Sequence, residues 1–188
     1  VADPHVSVIA FTGSSRGGRA VARLAAEHVK RVHLELGGNS ALIVLDDADL
    51  EAACPAGAFG SFFHQGQVCM AASRHLVHAS VARQYTEILA GKAKQLPVGN
   101  PATEQVAIGP IIDERQRDQV HRLVTASVSA GATLAAGGTY DKLFYKPTVL
   151  ADVPTTAPAW VEEIFGPVAP ITTFATLDEA ARLAADTP

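Results

Sequence analysis

The opening stretch of the chain switches between strand and helix periodicity, and that switching constrains the fold more than any other feature. The apolar run VSVIAF at Val6–Phe11 reads as a buried strand, GSSRGG at Gly13–Gly18 as a turn and RAVARLAAEHV at Arg19–Val29 as a helix. RVHLEL at Arg31–Leu36 reads as a second strand, and ALIVL at Ala41–Leu45, after Gly37-Gly38-Asn39, as a third. Strand, helix, strand in that order predicts a parallel α/β unit, because two parallel strands need a long crossover between them.

The same pattern continues downstream. Asp46, Asp47 and Asp49 suit the N-terminus of a helix running from Leu50 to about Gln65, which would deliver Cys69 into the loop beyond it. Arg74–Ala79 is strand-like, Val81–Leu96 helical, and Val98–Pro110 a polar connection punctuated by Pro and Gly. A helix from about Asp113 to Ala130 ends at Gly131, a strand and turn follow at Ala132–Gly138, and strands are expected at Lys146–Val153 and Val168–Ala175. A helix at Leu177–Asp186 closes the chain. With 188 residues, 48% of them hydrophobic, one main core is expected.

Charge and hydropathy narrow the partners. Fifteen basic against 19 acidic side chains give a net charge of −4 with no clustered Lys and Arg, so nucleic acid is an unexpected partner. The apolar runs fall far short of the roughly 20 residues a membrane span needs. The start, VADPH, has no basic n-region or apolar h-region and no initiator Met. Two cysteines, Cys54 and Cys69, form at most one disulfide, which a chain this apolar does not need; a reducing, cytoplasmic setting is expected.

Several residues carry possible chemistry. The turn Gly13-Ser14-Ser15-Arg16-Gly17-Gly18 leads into a helix, so free N–H groups and the positive end of a helix dipole offer a place for an anion; an ordinary tight turn reads the same way. It is neither G-x-G-x-x-G nor a P-loop. Cys69, in HQGQVCMA, has the small and polar neighbours of a reactive thiol. His64 lies five residues upstream, and a Cys/His pair would make a thiol hydrolase or acyltransferase. Glu35 ends a strand beside Gly37-Gly38, at the edge where parallel sheets place ligands. Glu162–Pro167 (EEIFGP) reads as a surface loop anchored by one Phe. His75 and His78, three apart on a strand, point to opposite faces, and no metal site is expected.

Taken in order, FTGSSRGGR, LELGGNS, FFHQGQVCMAASR and EEIFGPV resemble the NAD(P)-dependent aldehyde dehydrogenase family. The resemblance extends from Val6 to Pro188 and includes the GNP, IGPII and PTVLADV stretches. Asn39 after ELGG, together with HQGQVCM, is similar to the branch acting on aromatic aldehydes such as benzaldehyde or vanillin.

The resemblance implies a fold and a set of roles. The fold is an α/β, aldehyde-dehydrogenase-like, three-layer parallel sheet, incomplete at both ends, with residues 1–36 the C-terminal part of a nucleotide-binding domain and 37–188 most of a catalytic domain. Cys69 matches the nucleophile that attacks the aldehyde carbon, and Glu35 the general base that activates water against the resulting thioester. Gly13, Ser14, Gly18, Glu35 and Leu36 match the cofactor site, with Ser14 on the pyrophosphate; Glu163 matches the acid on the nicotinamide ribose and Phe165 the aromatic beside it. NAD or NADP is the implied cofactor, a small aldehyde the partner, and a homo-oligomer the state of the complete protein. The family's oxyanion-hole Asn and adenosine-ribose Lys are expected upstream of Val1. Two further readings stand beside this one: a non-catalytic remnant acting as an interaction module, and a hydrolase using Cys69 with His64.

Overall fold

The computed structural model describes residues 1–187, and the chain divides into two compact units, Val1–Gly38 and the remainder from Asn39. In the first, β1 (Val8–Gly13), α1 (Ser15–Glu27) and β2 (Arg31–Leu36) form the expected strand-helix-strand unit. The strands pair in parallel from Val8 opposite Arg31 to Gly13 opposite Leu36. The boundaries differ from expectation: β1 runs on through Gly13, and α1 starts at Ser15, so GSSRGG is a strand end plus the first turn of the helix. The reason is Ser14, whose extended backbone and side chain, accepting from the Gly17 N–H at 3.2 Å, make it the N-cap. At the other end Val29 N–H donates to Ala26 and Lys30 N–H to Ala25, a Schellman closure. It forces β-branched Val29 to φ 53°, a position usually taken by Gly.

The second unit is built on a five-stranded sheet in the order β3-β4-β9-β8-β5. Its elements are β3 (Ala41–Val44), α2 (Leu50–Phe62), β4 (Arg74–His78), α3 (Ala82–Gln95), α4 (Glu114–Ser129) and β5 (Thr133–Ala136), then the hairpin β6 (Tyr140–Asp141) and β7 (Phe144–Tyr145). They are followed by β8 (Thr148–Ala151), α5 (Pro158–Val161), β9 (Val168–Phe174) and α6 (Leu177–Ala185). β3, β4, β9 and β8 pair in parallel, but β5 pairs antiparallel to β8, so the sheet is parallel-dominated rather than wholly parallel. β5 follows α4 through the tight turn at Gly131 and returns to β8 by way of the hairpin, a path that reverses its direction.

Alternation along the strands sends successive side chains to opposite faces and makes three layers. On one face Leu76, Leu150, Val168 and Phe174 pack with Val120, Leu123 and Val124 of α4, Trp160 of α5 and Ala180 of α6. On the other, Val44, Val77, Val149, Ala169 and Ile171 pack with Cys54 and Phe62 of α2 and Tyr85 and Leu89 of α3. The single core expected from composition is therefore two cores separated by the sheet. Asp49, Asp113 and Thr176 cap α2, α4 and α6 through their side chains.

Across this sheet the parallel strand ends are tied down by a buried arginine. Arg74, 1% exposed, donates to the Asn39, Leu183, Ala184 and Asp186 carbonyls and stacks its guanidinium 5.2 Å from the Trp160 ring. The last three carbonyls are orphans of the α6 C-terminus, where a cation is favoured. Among the described residues, no helix is long and apolar enough to cross a membrane.

Candidate active site

In the first unit the chain brings Gly13, Ser14, Gly18, Glu35 and Leu36 together at the carboxyl ends of the two parallel strands. Gly13 pairs with Leu36 and Thr12 with Glu35. α1 can lie close on β2 because Gly18 has no side chain: a Cβ there would sit 2.5 Å from Leu36 Cδ2. Gly13 and Gly17 are glycines for a different reason from ligand approach. The Phe11 ring already occupies the space a Cβ would take, at 2.7 and 2.9 Å.

The same turn keeps anion-binding capacity. Ser14 satisfies the Gly17 and Gly18 N–H groups, which leaves those of Ser15 and Arg16 without a partner among the described residues. No acidic side chain stands in the first turn of α1. These open amides, the Ser14 hydroxyl and the dipole fit a pyrophosphate. Glu35 is exposed, and His33, two residues back on the same strand face, lies 3.2 Å from its carboxylate.

In the second unit α2 ends at Phe62, short of the expected Gln65. His64, Gln65 and Gly66 all adopt left-handed φ (50°, 58° and 65°), which breaks the helix and turns the chain into the loop carrying Cys69. Cys69 is exposed in that loop, whereas Cys54 is fully buried in α2; both are free thiols. Burial pushes the Cys54 thiol up to about 11, a partial offset coming from Lys92, so Cys54 is an inert packing residue.

The Cys69 loop is locked against the loop of residues 162–167. A Cβ on Gly66 would lie 2.1 Å from the Gly166 carbonyl oxygen, so the two backbones touch directly. Gly166 in turn packs on Val120 of α4, where a Cβ would meet Cγ2 at 2.5 Å. Gln116 of α4 donates to the carbonyls of Ile164 and Phe165 at 3.2 and 2.9 Å. Ile164 is buried, and Phe165 takes φ 52° and is 37% exposed. Glu163 is half-buried beside it, and Glu162 pairs with Arg122 at 3.0 Å. The structure thus brings the Cys69, Glu163 and Phe165 segments together, through contacts with Gln116 and Gly166 that the sequence pattern did not single out.

The His64 alternative finds no geometric support. Among the described residues no hydrogen bond joins its imidazole to Cys69, and its backbone carbonyl is used instead by the Gln67 N–H at 3.1 Å. His75 and His78 are separated as expected, the first buried in the α2/α3 face and the second half-buried beside Ser80.

Comparison with known proteins bears on the whole chain, since the pattern of the aldehyde dehydrogenase family matches residues 1–188. The chain belongs to the aldehyde dehydrogenase family. Among relatives within it, vanillin dehydrogenase of Amycolatopsis is 64% identical over 186 residues, covering 99% of this chain and 38% of that protein. The NAD(+) benzaldehyde dehydrogenase of Pseudomonas putida is 52% identical and covers 98% and 38%. The crystal structure of an NAD-dependent aldehyde dehydrogenase from Sinorhizobium meliloti superposes with a TM-score of 0.95 at 42% identity, over 99% of this chain and 38% of that one. An aldehyde dehydrogenase from Brucella melitensis biovar abortus gives 0.96 at 39% identity, over 99% and 39%. The chain spans well under half the length of the aldehyde dehydrogenases it matches, and the fold expectation of an aldehyde-dehydrogenase-like α/β structure holds over that span.

Proposed function

We propose that this chain carries the thiol nucleophile, the general base and part of the dinucleotide site of an NAD-dependent oxidation of aldehydes to carboxylic acids, with aromatic aldehydes the preferred class. The observation that carries the reading is the contrast between the two thiols. Cys69 is exposed on a loop pinned backbone to backbone against the 162–167 segment, while Cys54 is sealed in the core. The 64% and 52% identities to a vanillin and a benzaldehyde dehydrogenase support the substrate class.

In this reading the Cys69 thiolate attacks the aldehyde carbon and forms a tetrahedral thiohemiacetal. The developing oxyanion needs donors, and one such donor is worth about 3 kcal/mol of barrier. NAD, when bound, accepts the hydride that leaves this carbon. Collapse of the tetrahedral carbon leaves a thioester on Cys69. Glu35 then takes a proton from water, the water oxygen bonds to the acyl carbon, and the Cys69 sulfur departs as thiolate. The α1 amides and Ser14 would hold the pyrophosphate, and Glu163 with Phe165 the nicotinamide end.

The test is NADH absorbance with benzaldehyde in the full-length protein containing this chain. Cys69→Ala should abolish NADH production, and Glu35→Gln should keep a single rapid turnover while slowing the steady state by about a hundredfold or more. His64→Ala should be silent. A Cys69→Ala variant as active as the native protein would overturn the reading, and a strong preference for short aliphatic aldehydes would overturn the substrate class.

A further inference from the structure

The loop that presents Cys69 is closed at its neck by a pair of hydrogen bonds. The Ala72 N–H donates to the Gly60 carbonyl at 2.9 Å, and the Ser61 hydroxyl donates to the Ala72 carbonyl at 2.8 Å. The second bond is the end of a longer buried chain. Ser61 Oγ lies 2.7 Å from His75 Nε2, and His75 Nδ1 lies 2.8 Å from the Tyr85 hydroxyl. These three side chains come from α2, β4 and α3, and each is 1% exposed or less.

One order of donors satisfies all three side chains together with the Ala72 carbonyl. Because the Ser61 proton goes to the Ala72 carbonyl, its oxygen must accept from His75 Nε2–H; a neutral imidazole protonated at Nε2 has a bare Nδ1, which must accept from the Tyr85 O–H. Burial lowers the His75 pKa to about 4 and keeps the ring neutral. The fold makes room for the arrangement at a cost in helix propensity. Gly57 sits in the middle of α2, where a Cβ would lie 2.2 Å from the Tyr85 hydroxyl and 3.1 Å from His75 Cε1.

We propose that Tyr85, His75 and Ser61 form a relay of positioning residues that holds the neck of the Cys69 loop, Tyr85 acting at a distance by fixing the His75 tautomer. The inference rests on Cys69 being the nucleophile. With Tyr85 unable to donate, the imidazole is free to carry its proton at Nδ1. Nε2 then becomes an acceptor, the Ser61 hydroxyl turns to it, and the Ala72 carbonyl is released. Packing alone predicts no such transmission from α3 to the loop.

The experiment uses the chain with two readouts that need no turnover. Nitrogen NMR of His75 should show a protonated Nε2 and a bare Nδ1 in the native chain, and a mixture of tautomers in Tyr85→Phe. Amide exchange of the segment 67–73 should speed up about tenfold in both Tyr85→Phe and Ser61→Ala, the equivalent of one lost buried hydrogen bond, with exchange in α4 unchanged. A native His75 protonated at Nδ1 would overturn the proposal. So would loop exchange within about twofold of native in both variants, which are small enough changes to leave the fold intact. Acylation of Cys69 by p-nitrophenyl acetate, followed on the same samples, separates the two ideas. Its absence in the native chain would remove the nucleophile assignment while the tautomer and exchange data still judge the relay.

Discussion

Replacing Gly66 by Ala tests the contact on which the candidate site depends. Gly66 has φ 65°, a conformation that costs an L-residue about 1–2 kcal/mol. A Cβ there would also meet the Gly166 carbonyl oxygen at 2.1 Å, its carbon at 2.5 Å and the Ser61 carbonyl oxygen at 2.8 Å. All three are backbone atoms, so relief requires the two loops to separate, and overpacking of this kind adds about 1–3 kcal/mol. The expected destabilisation is therefore about 2–5 kcal/mol, or roughly 2–4 °C in Tm for each kcal/mol at this chain length. Urea melts of the native and variant chains would measure it, together with the rate at which iodoacetamide alkylates Cys69. Gly91→Ala is the matched control, because nothing lies within 4 Å of its Cβ position in α3; it should stabilise the chain by about 0.5–1 kcal/mol. A Gly66→Ala chain within about 0.5 kcal/mol of native would refute the reasoning, because surface substitutions change stability by no more than that.

Three other outcomes follow from the same geometry. Ellman titration of the native chain should find one fast thiol, lost in Cys69→Ser, with Cys54 reacting only on unfolding, since it is fully buried and its pKa is raised to about 11. His75, neutral when folded with a pKa lowered to about 4 against 6.5 when unfolded, means that the unfolded chain binds the extra proton between those values. Stability should accordingly fall as pH drops from 6.5 towards 4, by up to about 1.4 kcal/mol per pH unit, and urea midpoints of His75→Gln should lose that part of the slope. Val29→Gly should raise stability by about 1 kcal/mol in thermal melts, because Val29 is 94% exposed at φ 53° and gives up strain without losing packing.

Much of this molecule was legible residue by residue. The run behind β9 stands out because a strand buried on both faces reads as nearly continuous hydrophobic sequence. The acidic residues before Leu50 mark the start of α2, where Asp49 is the cap, because the signal lies within one turn. The hairpin β6–β7 and the short α5 escaped notice because two-residue strands and a four-residue helix are too brief to show a period. The α2 boundary was misplaced because His64 and Gln65 carry no turn signature; neither is Gly or Asn, yet both are held left-handed. Cys69, Glu163 and Phe165 were named as candidates through motif order, whereas the hydrogen bonds of Ser61, His75, Tyr85 and Gln116 were not legible, since they join segments distant in sequence.

By itself the sequence determined the order of strands and helices, the parallel crossover and which thiol lies in a loop. These follow from period, capping and turn chemistry, all of which act over a few neighbouring residues. Only the tertiary structure decided that Gly66 meets Gly166, that Gln116 holds the Phe165 carbonyl, and that Tyr85, His75 and Ser61 come within hydrogen-bond reach of one another. Those outcomes depend on which elements the sheet places side by side. A buried donor must find its acceptor among whatever groups close packing brings within reach, and no local pattern encodes that partner.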